Sequence, residues 1–259
     1  SIELPLIKEG DDRDTFKKTV TSAEDDRSGD RGAKMYDSLV ASFEGNRELA
    51  LKTFVQAYLA SVASVDDLVG EILGALKQTG LDKDTIVVFT SDHGWGNGEK
   101  DYLYKNSLWQ ESTRVPLVFR APGVSRKGKS CERPVSLVDL YPTLADLCDL
   151  PKPKHLKGKS LAPILASPKA TVREAAYSTT RIRPRLPGLK TPNPLGRSIR
   201  TQRWRYAEWG EAKAAELYDL QRDPKEYTNL AKSPEHRDIV GQMKSRLAKR
   251  QAQAESAQN

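Results

Sequence analysis

Residues 85–90, Thr-Ile-Val-Val-Phe-Thr, form a short unbroken apolar run rich in β-branched side chains. A strand with one wet face alternates apolar and polar residues. A continuous run is the pattern of a strand covered on both faces in a parallel sheet. Just upstream, Leu51, Val55, Tyr58, Val62, Val65, Val69, Ile72 and Leu76 recur every three or four residues and stop before Gly80. That spacing predicts one long amphipathic helix with a glycine cap, carrying a second nucleation signal at Ser64 and Asp67. A helix feeding a buried strand predicts an α/β fold.

Further along, a second strand is expected at residues 115–119, where Pro116 removes a ladder donor and marks the strand's start or a sheet edge. A helix is expected over residues 139–150, with Pro142 in its first turn. Beyond Tyr177 the chain turns Pro- and Arg-rich. Strands then follow at residues 198–209 and 216–220, a turn at Asp223-Pro224, a helix at residues 234–250 and a frayed tail over 251–259. A boundary near residue 186 divides an α/β portion, residues 1–185, from a small antiparallel subdomain with a terminal helix, residues 186–259. Residues 9–35 are dense in charge, lack an apolar period and read as a surface loop.

A chain of 259 residues, 37% hydrophobic, buries a core, and no run of eighteen apolar residues is present to span a membrane. It opens without an initiator Met on a short apolar strip, so further sequence is expected upstream. Cys131 and Cys148 read as two idle thiols rather than a disulfide. The net charge is +7, and eight Arg or Lys with no acid fall between residues 179 and 207, a stretch suited to a polyanion.

The polar run Ser91-Asp92-His93-Gly94-Trp95-Gly96-Asn97-Gly98-Glu99 follows the expected buried strand. In open α/β sheets ligands bind at the carboxyl ends of strands. A carboxylate there holds a hard cation, and flanking glycines let the backbone turn the next side chain to the same ion. Asp92 and His93 are therefore candidate metal ligands. On spacing alone, Asp92 capping a turn and His93 making an ordinary hydrogen bond account for them equally well.

Read as a whole, Ser91 to Gly94, Gly98-Glu99, Lys105, Leu108-Trp109, Thr113 to Leu117 and Pro122-Gly123 resemble the type I sulfatases in order and spacing. The segments at residues 135–147 and 158–161 extend the resemblance. Within the family the likeness is greatest to the iduronate-2-sulfatase branch, through His93, residues 176–178, 198–201 and 205–209. The resemblance implies the C-terminal portion of an alkaline-phosphatase-like α/β/α sandwich and hydrolysis of a sulfate ester on a sulfated sugar. It implies Ca2+ held by Asp92 and His93 together with acids from a missing N-terminal half, with Mg2+ or Zn2+ left open because imidazole favours softer metals. It implies that Lys105 contacts the sulfate, and that a formylglycine nucleophile belongs to the missing half. The family's modification motif, Cys or Ser followed by x-Pro-Ser-Arg, is absent around Cys131 and Cys148. Lys100 stands where many relatives have His and is expected to meet an anionic substrate. Trp95 is the candidate to pack on a sugar ring. The family also implies an extracytoplasmic location. His155 and His236 read as surface or capping residues. The competing functions are a phosphoester or phosphonate hydrolase of the same superfamily, and an inactive fragment acting as a polyanion-binding module without a nucleic-acid partner.

Overall fold

A computed structural model of the chain describes residues 4, 7–8, 10–15, 31–181, 195–209 and 214–256. Helix α1 (Arg31–Ala41) leads into α2 (Arg47–Gln78). The Asn46 side chain accepts from the Leu49 backbone N–H at 3.1 Å, which fixes the start of α2, and Gly80 takes a left-handed φ of 74° just past its end. The helix runs unbroken through Ser64 and Asp67. Only Ala50, Leu51 and Val55, near its start, are buried.

Strand β1 (Val87–Thr90) pairs antiparallel with β2 (Leu117–Arg120), Phe89 facing Val118. This corrects the expectation of a doubly covered strand in a parallel sheet. Among the described residues β1 has only this antiparallel neighbour, and Phe89 and Val118 stay exposed because no layer lies over them. Pro116 falls just ahead of β2, where its missing donor is harmless.

A single helical turn, α3 (Gln110–Thr113), precedes β2; beyond β2 a 3-10 turn (Leu137–Asp139) runs directly into helix α4 (Leu140–Leu147), with Asp139 buried at the junction. Asp139 accepts from the backbone N–H groups of Ser136 at 2.9 Å and Lys159 at 2.8 Å and from Arg173. Those bonds latch residues 158–161 onto α4, ahead of α5 (Ala162–Ala166). They also satisfy a carboxylate that has no contact with water.

The second sheet is an antiparallel meander, β3 (Ala176–Arg181), β4 (Leu195–Arg200), β5 (Trp204–Trp209) and β6 (Ala214–Asp219). The cross-strand partners Ile199, Tyr206 and Leu217 line one face, where Met243 and Leu247 of helix α6 (Arg237–Ser256) close the core. Gly196 pairs with Trp209, and a Cβ there would lie 2.2 Å from the indole ring, so the strand needs glycine at that place.

Two further readings change. Residues 31–35 are helical, and Asp11, Asp12 and Thr15 are buried rather than part of a surface loop, whereas residues 16–30 lie outside the described residues. Residues 251–256 continue α6. The proposed boundary at residue 186 also falls outside the described residues, while β3, ahead of it, already belongs to the second sheet. No helix is long and apolar enough to cross a membrane among the described residues.

Candidate functional site

The loop that leaves β1 is held by main-chain bonds to the run beside it. Gly94 N–H donates to the Ser112 carbonyl at 2.9 Å, Gly96 N–H to Tyr104 at 3.0 Å and Gly98 N–H to Tyr102 at 3.1 Å. A Cβ on Gly94 would stand 1.9 Å from the Glu111 carbonyl oxygen, so this approach of two backbones excludes any other residue. Beneath the loop, Leu103 packs with Tyr36 and Leu51 in a small core.

At the head of this loop, Asp92 Oδ1 accepts from the His93 backbone N–H at 3.0 Å, and Ser91 Oγ donates to the His93 carbonyl at 2.7 Å. His93 Nδ1 lies 2.9 Å from the Gly94 carbonyl oxygen. A carbonyl oxygen only accepts, so Nδ1 carries the proton and, in the neutral ring, the Nε2 lone pair is free. Nε2 in turn faces Asp92 Oδ2 at 3.4 Å. Two donors about 2.4 Å from one ion and at right angles to each other stand about 3.4 Å apart, the distance a calcium-sized ion requires. Tetrahedral zinc ligands at about 2.1 Å are separated similarly, while octahedral magnesium brings its ligands to about 2.9 Å. The donor pair therefore fits two corners of a calcium or zinc site. Among the described residues no group of three or more His, Cys, Asp or Glu side chains accompanies it.

Lys105 is exposed. Its main chain is fixed from both sides. Tyr104 bonds Gly96 and meets the Trp95 ring edge-on at 5.3 Å, while Asn106 Nδ2 donates to the Arg181 carbonyl of β3 at 3.0 Å. Trp95 is half-buried, and its indole N–H has no hydrogen-bond partner among the described residues.

Lys100 goes elsewhere. Its side chain is 1% exposed, its ammonium donates to Asp11 Oδ1 at 3.1 Å and to the Glu226 carbonyl at 2.6 Å, and its backbone takes a φ of 55° to reach them. A substrate anion cannot replace these partners without opening the domain, so the expected contact with substrate is corrected to an internal ion pair. The Glu226 carboxylate accepts from Arg205 Nη2 at 2.9 Å and from the Gln110 backbone N–H at 3.1 Å. Glu216 accepts from Trp109 Nε1 at 3.0 Å. Trp109 and Trp209 are core residues.

Glu111, one residue before the Ser112 carbonyl that holds Gly94, has a buried Oε2 with no partner. Burial, with the Glu226 charge nearby, pushes its carboxyl up to about 7. Nothing in the sequence marked Glu111, Glu226 or Asp11, because their importance comes from long-range packing. Of the basic stretch, Arg205 and Arg203 are engaged by Glu226 and Asp219, and residues 182–194 lie outside the described set. His236 Nδ1 sits 3.0 Å from Ser233 Oγ, in the turn before α6. Cys131 and Cys148 are free thiols.

Two family profiles match the chain: one described as Sulfatase over residues 11–150, the other as N-sulphoglucosamine sulphohydrolase, C-terminal, over residues 98–253. Arylsulfatase K of Gallus gallus is 37% identical over 187 residues, covering 69% of this chain and 34% of the relative. The chain therefore spans about a third of that relative's length. Among solved structures, a 2-O GAG sulfatase superimposes with a TM-score of 0.79 at 25% identity, over 98% of this chain and 53% of that one. The phosphonate monoester hydrolase of Agrobacterium radiobacter matches at 34% identity with a TM-score of 0.65, over 74% of this chain and 40% of that one. The α/β fold is that of the alkaline-phosphatase-like sulfatases. With one family profile covering more than half of its residues and the Ser91 to Gly98 loop set at the end of β1, the chain belongs to the sulfatase family.

Proposed function

We propose that this chain is the C-terminal part of a sulfuric ester hydrolase acting on a sulfated sugar, and that an amino-proximal half supplies the formylglycine nucleophile and the remaining metal ligands. The observation that carries the reading is the Asp92 and His93 pair, whose free oxygen and nitrogen stand 3.4 Å apart at the end of a strand. In this reading Asp92 and His93 hold a calcium ion, which supplies positive charge beside a sulfuryl oxygen. Lys105 places its ammonium against the charge that gathers on the sulfuryl oxygens as the ester bond breaks. Trp95, half-buried beside the loop, offers the exposed part of its ring to the sugar. The likeness of His93 and of residues 198–201 to the iduronate-2-sulfatase branch suggests a sulfated uronic acid as the natural substrate and an extracytoplasmic location.

In the complete enzyme, Asp92→Ala or Lys105→Ala is expected to lower turnover of an aryl sulfate or a sulfated oligosaccharide at least about a hundredfold. Wild-type turnover in both variants sinks the assignment. A second reading, phosphonate ester hydrolysis, is favoured by the 34% identity to the Agrobacterium enzyme. The same assay separates the two, since a phosphonate hydrolase shows a higher kcat/KM on an aryl phosphonate than on the matching sulfate.

A further inference from the structure

Arg197 and Arg200 lie on β4, and each faces a charged residue of β5 directly across the strand pair. Arg197 stands opposite Glu208, an arrangement that stabilises a sheet, whereas Arg200 stands opposite Arg205. Like charges directly opposite destabilise a strand pair, so what surrounds each of the two arginines decides the outcome. Arg205 is fully buried, its fork is closed on Glu226, and Glu216 lies 3.6 Å from Nη2. Arg200 lacks such a partner. It is half-buried, its Nη1 donates to the adjacent Thr201 carbonyl, and no acid pairs with it among the described residues. Burial lowers the Arg200 guanidinium from its usual value; Glu226 opposes this, and the charges of Arg114 and Arg205 add to it. Both Glu226 carboxylate oxygens are already taken, by Arg205 and by the Gln110 backbone N–H. Arg114, exposed just past α3, is a second cation without an acid partner among the described residues. The imbalance is internal to this chain, on strands that it covers with α6 on one side and Trp109 on the other.

We propose that Arg200, flanked by Arg114, is a binding site for an oxyanion of the sulfate or carboxylate class, separate from Asp92, His93 and Lys105. The bound anion gives Arg200 the negative charge that Glu208 gives Arg197. The planar guanidinium fork matches two oxygens of such an anion, and the Thr201 carbonyl holds the fork in place, so little freedom is lost on binding. Arg205 Nη1 is also buried without a partner, so acceptors are scarce on this face of the sheet. Arg114 follows Ser112, whose carbonyl holds Gly94, so the anion site adjoins the loop of the candidate metal ligands without using their side chains. Two sources share this chemistry: free inorganic sulfate, and a sulfate or carboxylate group carried on a longer saccharide. The second source rests on the function proposed above; the first does not.

Calorimetry with sodium sulfate at constant ionic strength, chloride being the balancing anion, reads the site directly in this chain and in the complete polypeptide. Saturable one-to-one binding is expected in both, and it should survive Lys105→Ala. Arg200→Gln is expected to weaken it at least about tenfold, the loss of one charge-assisted contact, while Arg197→Gln leaves it unchanged. Thermal unfolding separates binding from a structural role. In chloride, Arg200→Gln should unfold at no lower temperature than the parent, because a like charge opposite Arg205 is gone, and the rise in unfolding temperature that sulfate gives the parent should disappear. Kinetics of the complete enzyme identify the source. If a saccharide group occupies the site, Arg200→Gln raises KM for a sulfated oligosaccharide at least about fivefold and leaves aryl sulfate turnover unchanged. Equal KM values for that variant and the parent, with sulfate binding intact in the parent, assign the site to the free anion. Three results overturn the proposal: no saturable sulfate binding in the complete polypeptide, binding that Arg200→Gln leaves intact, or an Arg200→Gln variant that melts lower in chloride and keeps its response to sulfate. A protein that binds sulfate through Arg200 but cleaves no sulfate ester retains this site and loses only the function proposed above.

Discussion

Lys100 shows how position in space overrides position in a motif. It follows the Gly98-Glu99 pair directly, yet its ammonium is enclosed by Asp11, the Glu226 carbonyl and the rings of Trp109 and Tyr218. The left-handed backbone at Lys100 costs about 1–2 kcal/mol, which the buried ion pair must offset. Burial raises the Asp11 carboxyl despite the ammonium beside it, so the pair is strongly dehydrated. Lys100→Ala leaves that carboxylate buried without its counter-charge. Urea unfolding is expected to show a loss of about 3–5 kcal/mol. A substrate-facing lysine behaves in the opposite way, with unchanged stability and a raised KM, so the two measurements together separate the roles.

At the scale of elements, what the sequence revealed depends on where each pattern is generated. The long helix was legible because its period and Gly80 are local signals. β5 and β6 were legible as strands from their sequence, although both of their faces are buried, one against α6 and the other against Trp109 and Lys100. β3 went unread as a strand, because Ala176, Tyr177 and Ser178 become strand only through pairing with Arg200, Ile199 and Ser198. The parallel setting expected for β1 was inferred from an apolar run that records burial in the whole domain, while the described residues supply only β2 beside it. The site divides the same way. Asp92 and His93 were visible as neighbours in a glycine-rich turn, whereas Glu111 and Glu226 owe their places to contacts across 115 to 126 residues of chain, a separation no local pattern records. Gly196 gives the sheet a direct test. Its missing side chain is the space filled by Trp209, so Gly196→Val forces the indole out of the sheet face and is expected to destabilise by about 1–3 kcal/mol, read from thermal unfolding with Trp fluorescence as the probe.

Across the molecule, the site loop and the C-terminal sheet are joined largely by charge. Lys100, Gln110 and Arg205 all converge on Glu226, and Asp14 accepts from the Asn229 backbone N–H at 2.8 Å, clipping the amino-terminal segment to the same region. Such a junction is sensitive to any unpaired charge placed in it, and Glu111 is one: a buried carboxyl near Glu226 and Glu99, with Lys100 as the nearby counter-charge. Its folded pKa of about 7 stands above its usual value of 4.5. Between those values the folded state holds a proton that the unfolded chain releases, so stability falls as pH rises through that window and is fully present only below it. The fall is on the order of 3 kcal/mol by pH 8, after which Glu111 is ionised in both states and adds no further slope. Glu111→Gln keeps the shape and removes the titration. Urea unfolding from pH 4.5 to 8 is therefore expected to show a smaller decline in the variant, with the gap between the two proteins opening from about pH 4.5 to 7 and levelling off above that. Parallel curves across that range would mean that water or a local rearrangement solvates the carboxylate, and that the junction tolerates its charge.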